Sequence, residues 1–252
     1  MESIITVISE EPQLKDAILI EGLPGVGNVG KLAAEHLLDN IDAVKFATIY
    51  SKHFPPQVVL DEDCVATMVN NELYYAKNVG EGRDLVILVG EYQGMTPEGQ
   101  YELSSHIIKM CTEMGVSTIY TLGGYGVGKM VEEPRVLGAV TTKSFREMLE
   151  PHGVEFTAGE PGSGIVGASG LLLGLSKLNG LDAACLMGET SGYFVDPKGA
   201  ESVLKVLNSI IGLEMDMSEL ESKAEQVEEI TSKIKDMESS QDPGRDDLGY
   251  IG

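Results

Sequence analysis

The stretch Ala17–Leu32, AILIEGLPGVGNVGKL, constrains the fold more than any other part of the chain. An apolar run of strand length breaks into a glycine-rich loop and continues as a helix, the opening of an α/β unit. Gly25, Gly27 and Gly30 have the G-x-G-x-x-G spacing, and Gly25 through Lys31 reads G-x-x-x-x-G-K. Neither nucleotide-binding pattern is completed. A phosphate loop needs Ser or Thr next, whose hydroxyl ligates magnesium, and Leu32 stands there. A dinucleotide fingerprint needs an acidic residue about 20 positions on, where the second strand ends, to hold the ribose hydroxyls. That strand ends Tyr50-Ser51-Lys52-His53-Phe54, without a carboxylate. The loop therefore reads as a strand-to-helix turn, in which glycine permits positive φ and close packing of helix on sheet. No cofactor is expected.

The same grammar repeats. Strands are expected near Ile4–Ile8, Ala17–Gly22, Lys45–Tyr50, Leu85–Gly90, Ser117–Leu122 and Asp182–Met187. Several are continuously apolar, as a sheet buried on both faces requires. Helices are expected over Val29–Asp39, Pro97–Met114, Ser144–Leu149, Ala168–Leu178 and Pro197–Ile211. Thr96-Pro97 and Asp196-Pro197 each supply a cap followed by a proline in the first turn. Ala168–Leu178 is apolar nearly all round and should be buried. Val58–Lys77 reads as an inserted β-hairpin divided at Asn70-Asn71. The fold class is thus α/β, a single domain with a mostly parallel sheet flanked by helices.

The carboxyl end changes character. Ser218–Met237 is a polar helix opened by the capping box Ser218-x-x-Glu221. Leu213, Met217, Leu220, Ala224 and Val227 form a narrow coiled-coil-like seam, to be satisfied by the domain or by a neighbouring subunit. The division is an α/β domain over 1–212, a polar helix over 213–238 and a flexible charged tail over 239–252. That tail ends Leu248-Gly249-Tyr250-Ile251-Gly252, an apolar, aromatic tip suited to insertion into a partner's pocket.

Composition narrows the partners. Forty acidic against 18 basic residues give a net charge of -22, which excludes a phosphate-backbone ligand and so nucleic acid. No run reaches the roughly 18 apolar residues of a membrane helix. The N-terminus lacks a signal peptide's basic region and apolar core, so a cytoplasmic protein is expected. Cys64, Cys111 and Cys185 are scattered without a C-x-x-C, and read as small core residues.

Catalytic signals are sparse. Gly123–Lys129 and Gly159–Gly164 are expected as two further glycine loops. With Gly25, Gly27 and Gly30 they would line a crevice at the carboxyl ends of the strands, near Glu21, Glu91 and Glu189. A phosphorylase- or hydrolase-type enzyme, or a metabolite-binding protein, is the alternative this crevice supports. Against it, no G-x-S-x-G nucleophile elbow occurs. No histidine pair has the i, i+4 spacing of a helical zinc site, so neither a catalytic nor a metal residue is assigned. His53, in His53-Phe54-Pro55-Pro56, is the best placed of the four histidines.

Taken in order, Glu21-Gly22-Leu23-Pro24-Gly25-Val26-Gly27-Asn28-Val29-Gly30, His53-Phe54-Pro55-Pro56, Gly123-Gly124-Tyr125 and Gly162-Ser163-Gly164-Ile165-Val166-Gly167 resemble the proteasome assembly chaperone family, in its archaeal and bacterial branch. The resemblance runs from about Ile18 to Ile211. It implies an α/β fold similar to purine nucleoside phosphorylase and peptidyl-tRNA hydrolase, no established catalysis, and a chain that forms a homo-oligomer or pairs with a relative. It also implies proteasome α subunits as partner, through a chaperone or adaptor role. Archaeal members carry a terminal hydrophobic-tyrosine-any motif that enters pockets between α subunits, and by that resemblance Leu248, Tyr250, Ile251 and Gly252 would bind the partner. The chain departs from the motif in one respect: Tyr250 is third from the end, after Gly249, rather than second.

Overall fold

The continuously apolar runs take the middle of a nine-stranded sheet. A computed structural model describes residues 3–160, 162 and 164–240. The chain opens with β1 (Ile4–Ile8), β2 (Ala17–Gly22), α1 (Val29–Asn40) and β3 (Val44–Ser51). A separate hairpin, β4 (Val58–Leu60) and β5 (Ala66–Met68), leads into β6 (Asn71–Val79), β7 (Arg83–Gly90), α2 (Pro97–Glu113) and β8 (Val116–Gly126). Then come β9 (Val136–Val140), α3 (Lys143–Leu149), β10 (Val154–Glu155), α4 (Ala168–Leu178) and β11 (Asp182–Thr190). The helices α5 (Pro197–Ile211) and α6 (Ser218–Ser240) complete the described chain.

The strand order is β1-β3-β6-β7-β2-β8-β11-β9-β10. The central strands β7, β2, β8 and β11 run parallel, with antiparallel pairs flanking them on both sides. Parallel pairing needs helical crossovers, and these cover both faces. On one face α1 and α5 pack through Val29, Leu37, Leu204 and Leu207 onto Ile18, Ile20 and Ile87. On the other, α2 and α4 pack through Ile107, Cys111 and Leu172 onto Leu19, Leu88 and Ile119. Thr96 and Asp196 accept from the backbone N–H of Gly99 and Gly199 at 3.1 and 2.9 Å, so both expected caps form. No helix among the described residues is long and apolar enough to cross a membrane.

Several expectations are corrected. The hairpin turns at Asp61, not at Asn70-Asn71: the Asp61 carboxylate accepts from the N–H of Asp63 and Val65, closing the tip between β4 and β5. Asn71 instead begins β6 of the main sheet. Gly123–Gly126 is not a loop but the end of β8, still paired with β11 as far as Gly126 and Thr190. Helix α4 is less buried than its composition suggests, with Leu178 82% exposed. Cys64 is exposed at a positive φ, whereas Cys111 and Cys185 lie in the core, where burial pushes both thiols up to about 12. The polar helix α6 packs Leu220 and Ala224 onto the domain beside α5, so the start of its seam is satisfied within the chain.

Candidate functional site

The carboxyl ends of β2, β7, β8 and β11 meet the glycine-rich turn. The glycines there differ in what requires them. Gly27 takes φ +62, and its carbonyl accepts from Asp196 N–H at 2.8 Å, tying the turn to the start of α5. A β-carbon on Gly30 would lie 2.0 Å from the Leu122 carbonyl oxygen, so α1 rests directly on the backbone of β8. A β-carbon on Gly124 would lie 2.2 Å from the Val26 carbonyl oxygen. Gly25 differs: it is extended and has nothing within 4 Å of such a carbon. Three glycines of the motif region therefore serve close packing or a left-handed turn.

Polar groups at this end answer one another. Glu21 is 0% exposed and accepts from Leu23 N–H and from Ser169 Oγ, both at 3.0 Å. Burial without a cation pushes its carboxyl up to about 7, against the lowering effect of those two hydrogen bonds. Gln93 donates to the Pro24 carbonyl at 2.6 Å and accepts from Ala168 N–H at 2.9 Å, so the first amide of α4 is met by a protein side chain. Gly167, at φ +90, makes room for that amide. Glu91 lies on the opposite side of the sheet, donated to by Lys31 of α1 at 2.6 Å. Glu189 binds Arg135 through side chain and backbone, and the guanidinium holds its carboxyl below the usual range. Arg135 also reaches Glu155 and Glu160 at 3.2 and 3.5 Å. The three expected carboxylates are thus held in separate arrangements rather than around one cavity.

The histidines are likewise occupied locally. His53 pairs with Glu102 at 3.0 Å, His36 with the Asp216 carbonyl at 2.8 Å, and His152 with Ser209 at 2.9 Å. Among the described residues no group of three or more His, Cys, Asp or Glu is arranged to hold a metal ion. Sequence reading missed Gln93, Ser169 and Arg135, whose partners lie far away along the chain. Their one local signal is position, Gln93 shortly after β7, Ser169 in the first turn of α4 and Arg135 just before β9.

Large apolar side chains remain on the surface. Val58, Val59, Leu60, Val65 and Met68 of the hairpin are each about half exposed, and Val166 before α4 is 96% exposed. Tyr193, Phe194 and Val195 are exposed in the loop after β11. Leu248, Tyr250, Ile251 and Gly252 lie outside the described residues.

The sequence profile of the PAC2 family matches residues 19–235. An uncharacterized protein of Methanocaldococcus jannaschii is 40% identical over 260 residues, covering 100% of this chain and 99% of that protein. The crystal structure of Pyrococcus furiosus PbaB, an archaeal proteasome activator, superposes with a TM-score of 0.88 at 42% identity, covering 93% of this chain and 100% of that one. Pyrococcus furiosus PbaA, an archaeal homolog of proteasome-assembly chaperone, gives 0.78 at 28% identity, with 95% of each chain covered.

Proposed function

Since the chain belongs to the PAC2 family, we propose that it is a non-enzymatic proteasome assembly chaperone or proteasome-binding adaptor, acting as a cytoplasmic homo-oligomer. The similarity to PbaB over nearly the whole of both chains carries this reading. The internal pairing of Glu21, Gln93 and Glu189 supports it, because these groups serve the fold. In the proposal the partner is the proteasome α-ring, and the contact is the tail: Leu248 and Ile251 supply apolar surface, Tyr250 an aromatic hydroxyl, and Gly252 the terminal carboxylate. The exposed apolar hairpin supports association of copies, since strands of three residues are not independently stable in water.

Deleting Leu248–Gly252 should abolish capture of archaeal α-rings in a pull-down and leave the circular-dichroism melt unchanged. Undiminished capture would rule out the tail contact.

A further inference from the structure

The strand at one margin of the sheet carries a surface separate from the tail to which ring contact is assigned above. β1 reads Ile-Ile-Thr-Val-Ile, without a charge or proline, and its ladder partner among the described residues is β3. Sheet edges of this kind are ordinarily blunted by lysine, proline or a bulge. Ser9 N–H donates to the Phe46 carbonyl, and the Ser3 carbonyl accepts from Lys52 N–H. Odd-numbered residues therefore turn their backbone groups toward β3. Antiparallel alternation places the N–H and C=O of Ile4, Thr6 and Ile8 on the outer edge.

Helix α2 runs beside that edge. Thr6 Oγ1 lies 2.7 Å from His106 Nε2 and 3.9 Å from Met110 Sδ, so α2 covers the face of β1 that bears Ile4, Thr6 and Ile8. Along this β1–α2 groove, bridged midway by the Thr6 contacts, Ile8 borders a cavity of about 460 Å³ walled also by Leu14, Phe46, Met110 and Met114. Glu10, Glu11 and Glu113 line the same cavity, and Glu102 borders the groove at its Ile4 end. Among the described residues no lysine or arginine lines either part; Lys109 is paired with Glu113 at 3.9 Å on the outside of α2.

We propose that this groove takes an extended, basic polypeptide segment as an added strand on β1. A large apolar side chain would enter the Met110–Met114 cavity, and a lysine or arginine two residues along, on the same face of the added strand, would meet Glu10, Glu11 and Glu113. Main-chain pairing supplies affinity in this mode and alternate side chains supply selectivity. Methionine walls adapt to differing side chains, which suits a chaperone surface. The carboxylates disfavour a second copy of a chain whose net charge is -22 and favour a cationic partner. The inference goes beyond the assembly reading, since it needs neither the tail nor the ring.

The test is fluorescence anisotropy of the full chain with a labelled nonapeptide whose odd positions alternate leucine and lysine, with threonine between them. Two controls are its leucine–glutamate counterpart and the leucine–lysine peptide N-methylated at alternate amides. The leucine–lysine peptide should bind saturably and slow hydrogen exchange at Ile4, Thr6 and Ile8, with both controls at least tenfold weaker. Ile8→Pro removes an outward N–H at no cost to the β3 ladder and should weaken the peptide at least tenfold. Should that variant fail to fold, the double variant Glu11→Lys, Glu113→Lys serves instead and should reverse the preference between the two charged peptides. Equal binding of the N-methylated peptide would assign the effect to bulk charge and overturn the proposal. So would exchange protection of β1 that grows with protein concentration and resists the peptide, which would place a second copy on the edge. Deleting Leu248–Gly252 should leave peptide binding intact, so failure of the tail contact and failure of the groove are separable.

Discussion

A β-carbon placed on Gly30 would lie 2.0 Å from the Leu122 carbonyl oxygen, whereas one on Gly25 would meet nothing within 4 Å. The two glycines share a motif and differ in what they do. Gly30→Ala should cost about 2–3 kcal/mol in urea unfolding, because α1 must lift off the β8 backbone. Gly25→Ala should change stability by less than about 0.5 kcal/mol. Equal costs would mean that the motif serves something other than packing. Glu21 gives the second residue-scale prediction. Its folded-state value of about 7 exceeds the ordinary 4.5, so the folded chain binds the extra proton. Its contribution is fully present below about pH 4.5 and is lost as pH rises through 7. Glu21→Gln keeps a carbonyl acceptor for Leu23 N–H and removes that slope. Above pH 7 the variant should be more stable than the parent by about 1–3 kcal/mol. A parallel pH profile for the two proteins would contradict this account.

At the scale of elements, what the sequence reveals depends on whether a signal is local. Strand β2 and helices α4 and α5 begin and end where their apolar runs, prolines and glycines place them, since caps and turns act within a few residues. The ends of β8 and β11 were hidden for the opposite reason. Gly124 and Gly188 look like turn residues, yet they pair with each other in the β8–β11 ladder, and they are glycine because Val26 O and Gly199 O approach them from other elements. The hairpin turn was masked by Asn70-Asn71, a pair with turn chemistry, while the Asp61 side chain forms the turn itself. Of the site, the glycine turn was legible. The Gln93 bridge and the Arg135 cluster depend on contacts across the sheet and were not. The hairpin also carries a prediction. Val58, Leu60, Ala66 and Met68 share one face by register, and an exposed apolar face on so short a unit calls for a neighbour. Leu60→Asp should shift sedimentation toward smaller species while the far-ultraviolet spectrum is kept. An unchanged distribution would remove the hairpin from the subunit interface.

On the scale of the whole molecule, the polar groups at the strand ends are engaged with other protein groups, while the apolar residues of the sheet fill the core and a smaller apolar set, in the hairpin and the loop after β11, stays on the surface. That distribution suits a protein that works by contact, in keeping with the likeness to PbaB. Net charge of -22 keeps such a surface soluble and biases it toward basic partners. The α-ring association is tested most directly by native mass spectrometry of the full chain mixed with intact archaeal α-rings. A complex containing one ring and one oligomer of this chain should be detected, and it should be lost when Leu248–Gly252 is deleted. Rings and oligomers detected separately, each intact and at concentrations where the chain is folded, would contradict that association.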